Sequence, residues 1–96
     1  MGSTGIEIDV SVPAILRDCT GGRNSVTIEA ATLAEALEVL RETYPLLRTH
    51  LYDEAQRLRP HVQIFYNEES TRWLDDLDVP LKPGDRLHIL QAVSGG

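Results

Sequence analysis

Apolar and polar residues alternate near the start of the chain, from residue 6 to residue 12. This period of two predicts a β-strand with one solvated face. A second alternation covers residues 26–29, and the polar, glycine-containing segment 20–24 between them has the composition of a turn. The pattern therefore predicts a β-hairpin in the first third of the chain.

A helical period replaces the alternation in residues 33–43. Thr32 and Glu35 have the spacing of a capping box, which marks the first turn of a helix, and Pro45 marks its end. Residues 46–51 are predicted to add a short helical turn, and the polar residues 52–60 are predicted to form an exposed loop. The apolar stripe of the helix consists of Leu33, Ala36, Leu37, Leu40 and Tyr44.

Strand patterns return in the second half of the chain. Residues 61–66 predict a third strand, residues 71–74 a short fourth strand, and residues 87–90 the last strand. Before the last strand, Pro83 and Gly84 occupy the two central positions that a type II turn prefers.

This order of elements predicts an α+β fold of the β-grasp type, in which one mixed sheet packs on one main helix. We expect the first and last strands to pair in parallel near the middle of the sheet. Residues 1–5 are predicted to be a disordered extension, residues 6–90 the β-grasp domain, and residues 91–96 a flexible tail that ends in Gly-Gly. The strand positions expected to face the helix are Val10, Val12, Val26, Ile28, Val62, Ile64, Leu87 and Ile89.

Length and charge limit the function further. A chain of 96 residues forms one small domain. Nine basic and fifteen acidic residues give a net charge of −6, which disfavours nucleic acid and anionic membrane surfaces and suggests a partner with a basic docking face. Neither a membrane-spanning run nor a signal peptide is recognised in the sequence, so we expect a cytoplasmic protein.

Few residues have the pattern of a catalytic or metal site. The single cysteine, Cys19, excludes an internal disulfide and is interpreted as a passive thiol. The three histidines lack the spacing of a metal site, so no bound metal is expected. Trp73 is expected to pack against the core, and the acidic residues near it are interpreted as a solvated surface.

The last residues of the sequence, Ser94, Gly95 and Gly96, are open to two interpretations. Gly-Gly is commonly a frayed end without a function. Here, however, it follows closely on a predicted core strand, and the segment 92–96 is uncharged and slender. Residues without a Cβ atom fit a narrow channel and allow many backbone conformations, which favours a tail that enters another protein.

Several segments together resemble the ubiquitin-like bacterial sulfur-carrier proteins, in particular the actinobacterial carriers of cysteine synthesis. The resemblance spans residues 10–96, and the chain departs from it at Gln91, where members often have Pro, and at Ser94, where they often have Ala. The matching segments are Val12-Pro13-Ala14-Ile15-Leu16-Arg17, Thr20-Gly21-Gly22, Thr32-Leu33-Ala34, Tyr44-Pro45, Arg59-Pro60-His61-Val62, Phe65-Tyr66-Asn67-Glu68-Glu69, Leu81-Lys82-Pro83-Gly84-Asp85 and Ile89-Leu90-Gln91-Ala92-Val93-Ser94-Gly95-Gly96.

The resemblance implies a carrier rather than an enzyme. A partner enzyme would adenylate the carboxylate of Gly96 with ATP, and the product would be converted to a thiocarboxylate. The thiocarboxylate would then give its sulfur to a second enzyme, in cysteine, molybdopterin or thio-natural-product synthesis. The chain would bind no cofactor of its own and would be a monomer when free.

Partner binding is expected on the sheet face that points away from the helix and along the tail. We expect Phe65, His88 and Leu90 to lie on that face. The alternative for Leu90 is that its side chain packs into the rim of the core. The tail residues expected in the partner's channel are Ala92, Val93, Ser94 and Gly95. Two other functions remain open: a modifier joined through Gly96 to lysines of other proteins, and an interaction module whose tail is idle.

Overall fold

The computed structural model of the protein describes residues 5–74 and 76–91. Five strands, two α-helices and two 3₁₀ helices account for most of this range. In chain order they are β1 (Ile6–Ser11), a first 3₁₀ helix (Ala14–Thr20), β2 (Ser25–Ala30), α1 (Leu33–Thr43), α2 (Pro45–Leu51), β3 (Val62–Tyr66), β4 (Glu69–Ser70), a second 3₁₀ helix (Thr71–Trp73) and β5 (Arg86–Gln91).

The strands form one mixed sheet in the order β2-β1-β5-β3-β4. β1 and β2 form the predicted antiparallel hairpin, with Val10 opposite Val26. β5 enters between the two halves of the sheet, parallel to β1 and antiparallel to β3. The predicted β-grasp arrangement, with the first and last strands in parallel at its centre, is therefore confirmed.

The capping residues at the start of α1 have the predicted roles, with one difference. The side chain of Thr32 accepts a hydrogen bond of 3.2 Å from the backbone N–H of Glu35. The Glu35 carboxylate accepts a hydrogen bond of 2.6 Å from the N–H of Ala31, one residue before the cap. Two backbone donors near the helix start are thus satisfied, which fixes the point at which the chain leaves β2 and becomes helical.

The core lies between α1 and the sheet face that α1 covers. All eight strand positions predicted for the core are buried, as are Leu33, Ala36, Leu37 and Leu40 of α1. α2 contributes Leu47 and Leu51, and the first 3₁₀ helix contributes Leu16. The alternation and the helical stripe therefore identified the main layers of the core, while the additional leucines close one end of it.

Three local predictions differ from the structure. Residues 71–74 do not form a strand: the short fourth strand is Glu69–Ser70, and the chain then turns into the second 3₁₀ helix. Tyr52, at the start of the predicted exposed loop, is buried. The Cζ atom of Arg41 lies 4.7 Å from the centre of its ring. β5 continues to Gln91, one residue beyond the predicted end of the domain.

The first 3₁₀ helix has no counterpart among the elements predicted from the sequence. It ends at Gly21, whose φ of 69° is a left-handed conformation that glycine adopts without strain. The hydroxyl of Thr20 donates to backbone carbonyl groups on both sides of this turn, those of Arg17 and Arg23. A compact connection between β1 and β2 is the result, and it lies beside the end of β1.

None of the helices in the described ranges combines the length and the apolar character that crossing a bilayer requires.

Candidate functional site

β5 carries the segment that leads to the C-terminal glycines, and its neighbours hold it on both sides. Ser11 of β1 lies opposite His88, and Val62 of β3 pairs with Gln91, the last residue described. Since pairing with β3 extends to Gln91, the strand is fixed up to the point where residues 92–96 begin. We call the end of the domain at Gln91 the tail-exit end.

The opposite end of β5 is fixed by a turn. Gly84 has a φ of 94°, and the N–H of Asp85 donates to the carbonyl of Lys82 at 3.0 Å, in agreement with the type II turn predicted from Pro83 and Gly84. The Asp85 carboxylate accepts hydrogen bonds from the hydroxyl of Tyr66 at 2.5 Å and from the side-chain amide of Asn67 at 3.2 Å. These bonds tie the turn before β5 to the end of β3.

Asn67 also connects the end of β3 to the first residue of β5, Arg86. Its side-chain oxygen accepts a hydrogen bond of 2.9 Å from the N–H of Arg86, and its own N–H donates to the carbonyl of Arg86 at 2.8 Å. Its φ of 57° is a left-handed conformation that asparagine tolerates better than most residues. The first residue of β5 is therefore held by backbone and side chain together.

The three sheet residues predicted for partner binding lie side by side on the face away from α1. Phe65 and His88 are directly paired between β3 and β5, and Leu90 lies opposite Gln63. Phe65 and His88 are half-buried, while Leu90 is 51% exposed. Because Leu87 and Ile89 fill the core side of the strand, the alternative that Leu90 enters the core is excluded.

A shallow pocket of mixed polar and apolar lining lies next to these residues on the same face. Its volume is about 250 Å³ and its lining includes Ser11, Ser25 and His88. Asp9 also lines it and accepts a hydrogen bond of 3.3 Å from the hydroxyl of Thr27. The face away from α1 is thus apolar along Phe65 and Leu90 and polar toward β1 and β2.

The terminal residues predicted to enter a partner, Ala92, Val93, Ser94, Gly95 and Gly96, lie outside the described residues. Their roles remain predictions. The structure shows where this segment begins: at Gln91, at the end of a strand that pairs with β1 up to His88 and with β3 up to Gln91.

The remaining candidate groups show little sign of catalytic use. Burial, assisted by the negative charge of Asp18, raises the pKa of the Cys19 thiol, and a raised pKa disfavours the reactive thiolate. Among residues 5–74 and 76–91, no group of three or more His, Cys, Asp or Glu side chains has the geometry of a metal site. The interpretation of Cys19 as a passive thiol is consistent with this environment.

Trp73 does not pack against the core as predicted, because its side chain is 75% exposed. Leu74 and Leu77, which were expected to pack against the core together with Trp73, are partly buried against it.

Two further exposed residues were missed by the sequence analysis. Ile15 is 54% exposed and Leu46 is 59% exposed. The sequence carried a signal for Leu46: it stands beside Leu47, and adjacent residues of a helix do not share one face.

Comparison with known proteins places these features in a family. The sequence profile of the ThiS family matches residues 10–96. The sulfur carrier protein CysO of Mycobacterium tuberculosis H37Rv is 34% identical over 93 residues, which is 95% of this chain and all of the relative.

Solved structures of similar fold cover nearly the whole chain. A chain of the Amycolatopsis orientalis BexX/CysO complex superposes with a TM-score of 0.76 at 35% identity, covering 93% of this chain and 99% of its own length. SAMP1 of Haloferax volcanii superposes with the same TM-score of 0.76 at 25% identity, covering 94% of this chain and 99% of its own.

Proposed function

This chain belongs to the ThiS family and is a sulfur carrier, and we propose that the carboxylate of Gly96 is the group that carries the sulfur. The observation that supports this most is the position of β5 at the centre of the sheet, directly before the terminal segment. Gly96 is the fifth residue after the paired residue Gln91. An extended chain of this length spans about 17 Å, so a rigid domain would deliver the carboxylate into a channel of that depth.

The proposed chemistry begins with activation, because a carboxylate is a poor electrophile. A carboxylate oxygen of Gly96 attacks the α-phosphorus of ATP, and pyrophosphate leaves. Sulfide then attacks the acyl carbon of the adenylate, and the bond from this carbon to the AMP oxygen breaks. AMP leaves with the electron pair of that bond, and the product is a thiocarboxylate whose sulfur is a nucleophile.

In this scheme the chain is a protein cosubstrate rather than an enzyme. The adenylating partner binds ATP and supplies the catalytic groups, and a second enzyme accepts the sulfur. The complex of a similar CysO protein with BexX supports the view that carriers of this kind work in contact with partner proteins. We place the protein in the cytoplasm, as a monomer when free and without a bound cofactor.

Docking of the adenylating enzyme is proposed to use Phe65, His88 and Leu90, since these side chains form a continuous surface that leads to Gln91. Leu90→Asp should raise the KM for the carrier in ATP–pyrophosphate exchange by about tenfold or more, because an apolar contact would be replaced by a charge. Glu68→Gln, an exposed change at the far end of the sheet, is the control. Equal KM values for Leu90→Asp and the wild type would show that this surface does not bind the adenylating enzyme.

Intact mass tests the proposed function directly. A protein that ends at Gly96 is incubated with extract of the source organism, ATP and sulfide. We expect a mass increase equal to the exchange of one oxygen for sulfur, and fragmentation should place it on Gly96. The same incubation without ATP is the control. An unchanged mass with ATP and sulfide present, or sulfur located elsewhere in the chain, would contradict the proposal.

A protein modifier is a second candidate function, favoured by the similarity to SAMP1, which is named a small archaeal modifier protein. Both functions begin with adenylation, so only the final product distinguishes a modifier from a sulfur carrier. A modifier would form isopeptide bonds between Gly96 and lysines of other proteins, detectable by mass spectrometry. Lys82 is the chain's single lysine, so Lys82→Arg distinguishes attachment to other proteins from attachment to a second copy.

A further inference from the structure

Four large apolar side chains stand out as exposed in the described part of the chain: Ile15, Leu46, Trp73 and Leu90, at 54%, 59%, 75% and 51%. Single exposed hydrophobic residues are common on monomeric proteins, but several in one region indicate a contact surface. Leu90 precedes Gln91 and therefore lies at the tail-exit end. The sheet register and the hydrogen bonds place the other three at this end as well.

Ile15 is placed by the parallel pairing of β1 and β5. Parallel strands end at the same edge of a sheet, and Ser11, the last residue of β1, lies opposite His88. The first 3₁₀ helix follows β1 after two residues, so Ile15 lies just beyond the end of β1, on the tail-exit side of the sheet. α2 packs against this 3₁₀ helix, and Leu46 belongs to the first turn of α2.

Trp73 is placed by the antiparallel pairing of β3 and β4. The second 3₁₀ helix continues from β4 back toward the start of β3. There the guanidinium of Arg72 donates hydrogen bonds to the carbonyl of Val62 at 2.7 Å and to that of Arg59 at 3.2 Å. Val62 pairs with Gln91, so Trp73 lies at the level of the tail-exit end.

The same end carries most of the positive charge. The first 3₁₀ helix and its turn, the last turn of α1, α2, the loop before β3 and the second 3₁₀ helix hold seven of the nine basic residues. Among residues 5–74 and 76–91, four acidic residues lie in these segments, and Glu38, one turn earlier in α1, lines a pocket together with Arg41 and Arg48. The basic residues are Arg17, Arg23, Arg41, Arg48, Arg57, Arg59 and Arg72, and the acidic ones are Asp18, Glu42, Asp53 and Glu54.

The opposite end is acidic. Glu7 and Glu29 are paired where β1 begins and β2 ends, Glu35 lies in the first turn of α1, and Glu68 and Glu69 follow β3. A protein of net charge −6 thus presents a net positive surface around the residue from which the terminal segment starts. Charges beyond about 8 Å are largely screened at physiological ionic strength, so a partner at the tail-exit end meets this local charge.

We propose that Ile15, Leu46, Trp73 and the surrounding arginines form a docking collar, and that it binds the mouth of the adenylating enzyme's channel. The complementary mouth is apolar with carboxylates among its side chains. Trp and Arg supply much of the binding energy at protein interfaces when they are buried together. This inference rests on the proposed function, and it replaces the basic partner face expected from net charge.

Charge reversal at the two ends of the domain tests the collar. Arg48 and Lys82 are both exposed, and substitution by Glu changes the charge by the same amount at each position, from positive to negative. Only Arg48 belongs to the collar. In ATP–pyrophosphate exchange with the purified adenylating enzyme of the source organism, Arg48→Glu should raise the KM for the carrier by about fivefold or more at low salt. The rise should shrink at high salt, and Lys82→Glu should stay within about twofold of the wild type.

Leu46→Asp is the apolar counterpart, and it should raise the KM even at high salt because the lost contact is hydrophobic. Thermal unfolding of each variant checks that the fold is intact, as expected for exposed positions. The collar is overturned if the KM for Arg48→Glu is unchanged or lower than that of the wild type, or if Lys82→Glu raises the KM equally. The proposed function is unaffected by these outcomes as long as the wild type supports exchange. Absence of exchange with the wild type itself overturns both.

Discussion

At the level of single residues, Asp85 and Tyr66 are the pair whose titration the fold changes most clearly. Burial raises the pKa of Tyr66 to about 12, and its hydrogen bond to Asp85 and the negative charge of that residue act in the same direction. Burial also acts to raise the pKa of Asp85, but hydrogen bonds from Tyr66, the N–H of Lys82 and Asn67 outweigh it and lower the pKa below its ordinary value. Both shifts mean that the folded protein favours a neutral tyrosine beside an ionised aspartate.

The linked stability follows from the signs of these shifts. Asp85, with a lowered pKa, stabilises the fold above its ordinary pKa of 3.8, and this contribution is lost as pH falls through the folded value. Asp85→Asn should therefore lower the midpoint of thermal unfolding at pH 7, and the difference from the wild type should diminish in acid. Glu68→Gln, an exposed change in the neighbouring turn, is the control. A difference that stays constant from pH 7 to pH 2 would contradict this assignment.

Tyr66, with a raised pKa, stabilises the fold fully below its ordinary pKa of 10, and this contribution is lost as pH rises through about 12. We expect Tyr66→Phe to flatten the fall in unfolding free energy over this alkaline range, measured by urea denaturation. Tyr44→Phe is the matched control, since it removes a hydroxyl from another partly buried tyrosine. Equal alkaline slopes in Tyr66→Phe and the wild type would show that the pair has no such effect.

Gly96 is the other residue on which a prediction depends. Its deletion shortens the reach of the chain by about 3.3–3.6 Å, and a misplacement of even about 1 Å costs group transfer about 100-fold. ATP–pyrophosphate exchange should fall at least that far, with thermal unfolding unchanged. An alanine added after Gly96 should fail as well, unless a protease first removes it. Wild-type exchange rates in both variants would mean that another group is activated.

At the level of elements, α1 acts as the cover of the sheet. Its N-terminus is capped by Thr32 and Glu35, and four of its side chains are buried against the strands. α2 and the first 3₁₀ helix then close the end of the core with Leu47, Leu51 and Leu16. The helical segments therefore do two things: they bury the sheet, and they present Ile15 and Leu46 at the tail-exit end.

Leu37 tests the packing of α1. It is 5% exposed, and Leu37→Ala should cost about 2–5 kcal/mol through lost burial and the cavity left behind. For a domain of this size that corresponds to a fall of about 8 °C or more in the unfolding midpoint. The same change at exposed Leu46 should stay within about 0.5 kcal/mol. If the two variants unfold at the same temperature, the described core is wrong.

At the level of the whole molecule, β5 joins two ends of different character. One end holds the turn around Asp85 and an acidic surface, and the other holds the arginines and the start of the terminal segment. The strand lies between β1 and β3, which are far apart in the chain. The terminal segment therefore continues directly from the central strand of the sheet.

The sequence alone determined much of this protein because the informative signals are local. Burial of one face imposes a period of two on strands and of 3.6 on helices, and these periods identified four of the five strands, α1 and the main core. The cap at Thr32 and the turn at Gly84 each involve residues within four positions of one another, so the local sequence is enough to predict them. The role of Gly-Gly remains a prediction, which rests on the absence of side chains that would keep it out of a narrow channel.

The tertiary structure decided what depends on residues distant in the chain. The tie between Arg72 and Val62, the burial of Tyr52 under Arg41 and the exposure of Trp73 arise only when separate segments meet. The same holds for the distribution of charge: the composition gives a net charge of −6, but folding collects arginines from five segments at one end. Composition sums charges over the chain, whereas a partner at close range responds to those within a screening length, and only the fold sets which charges those are.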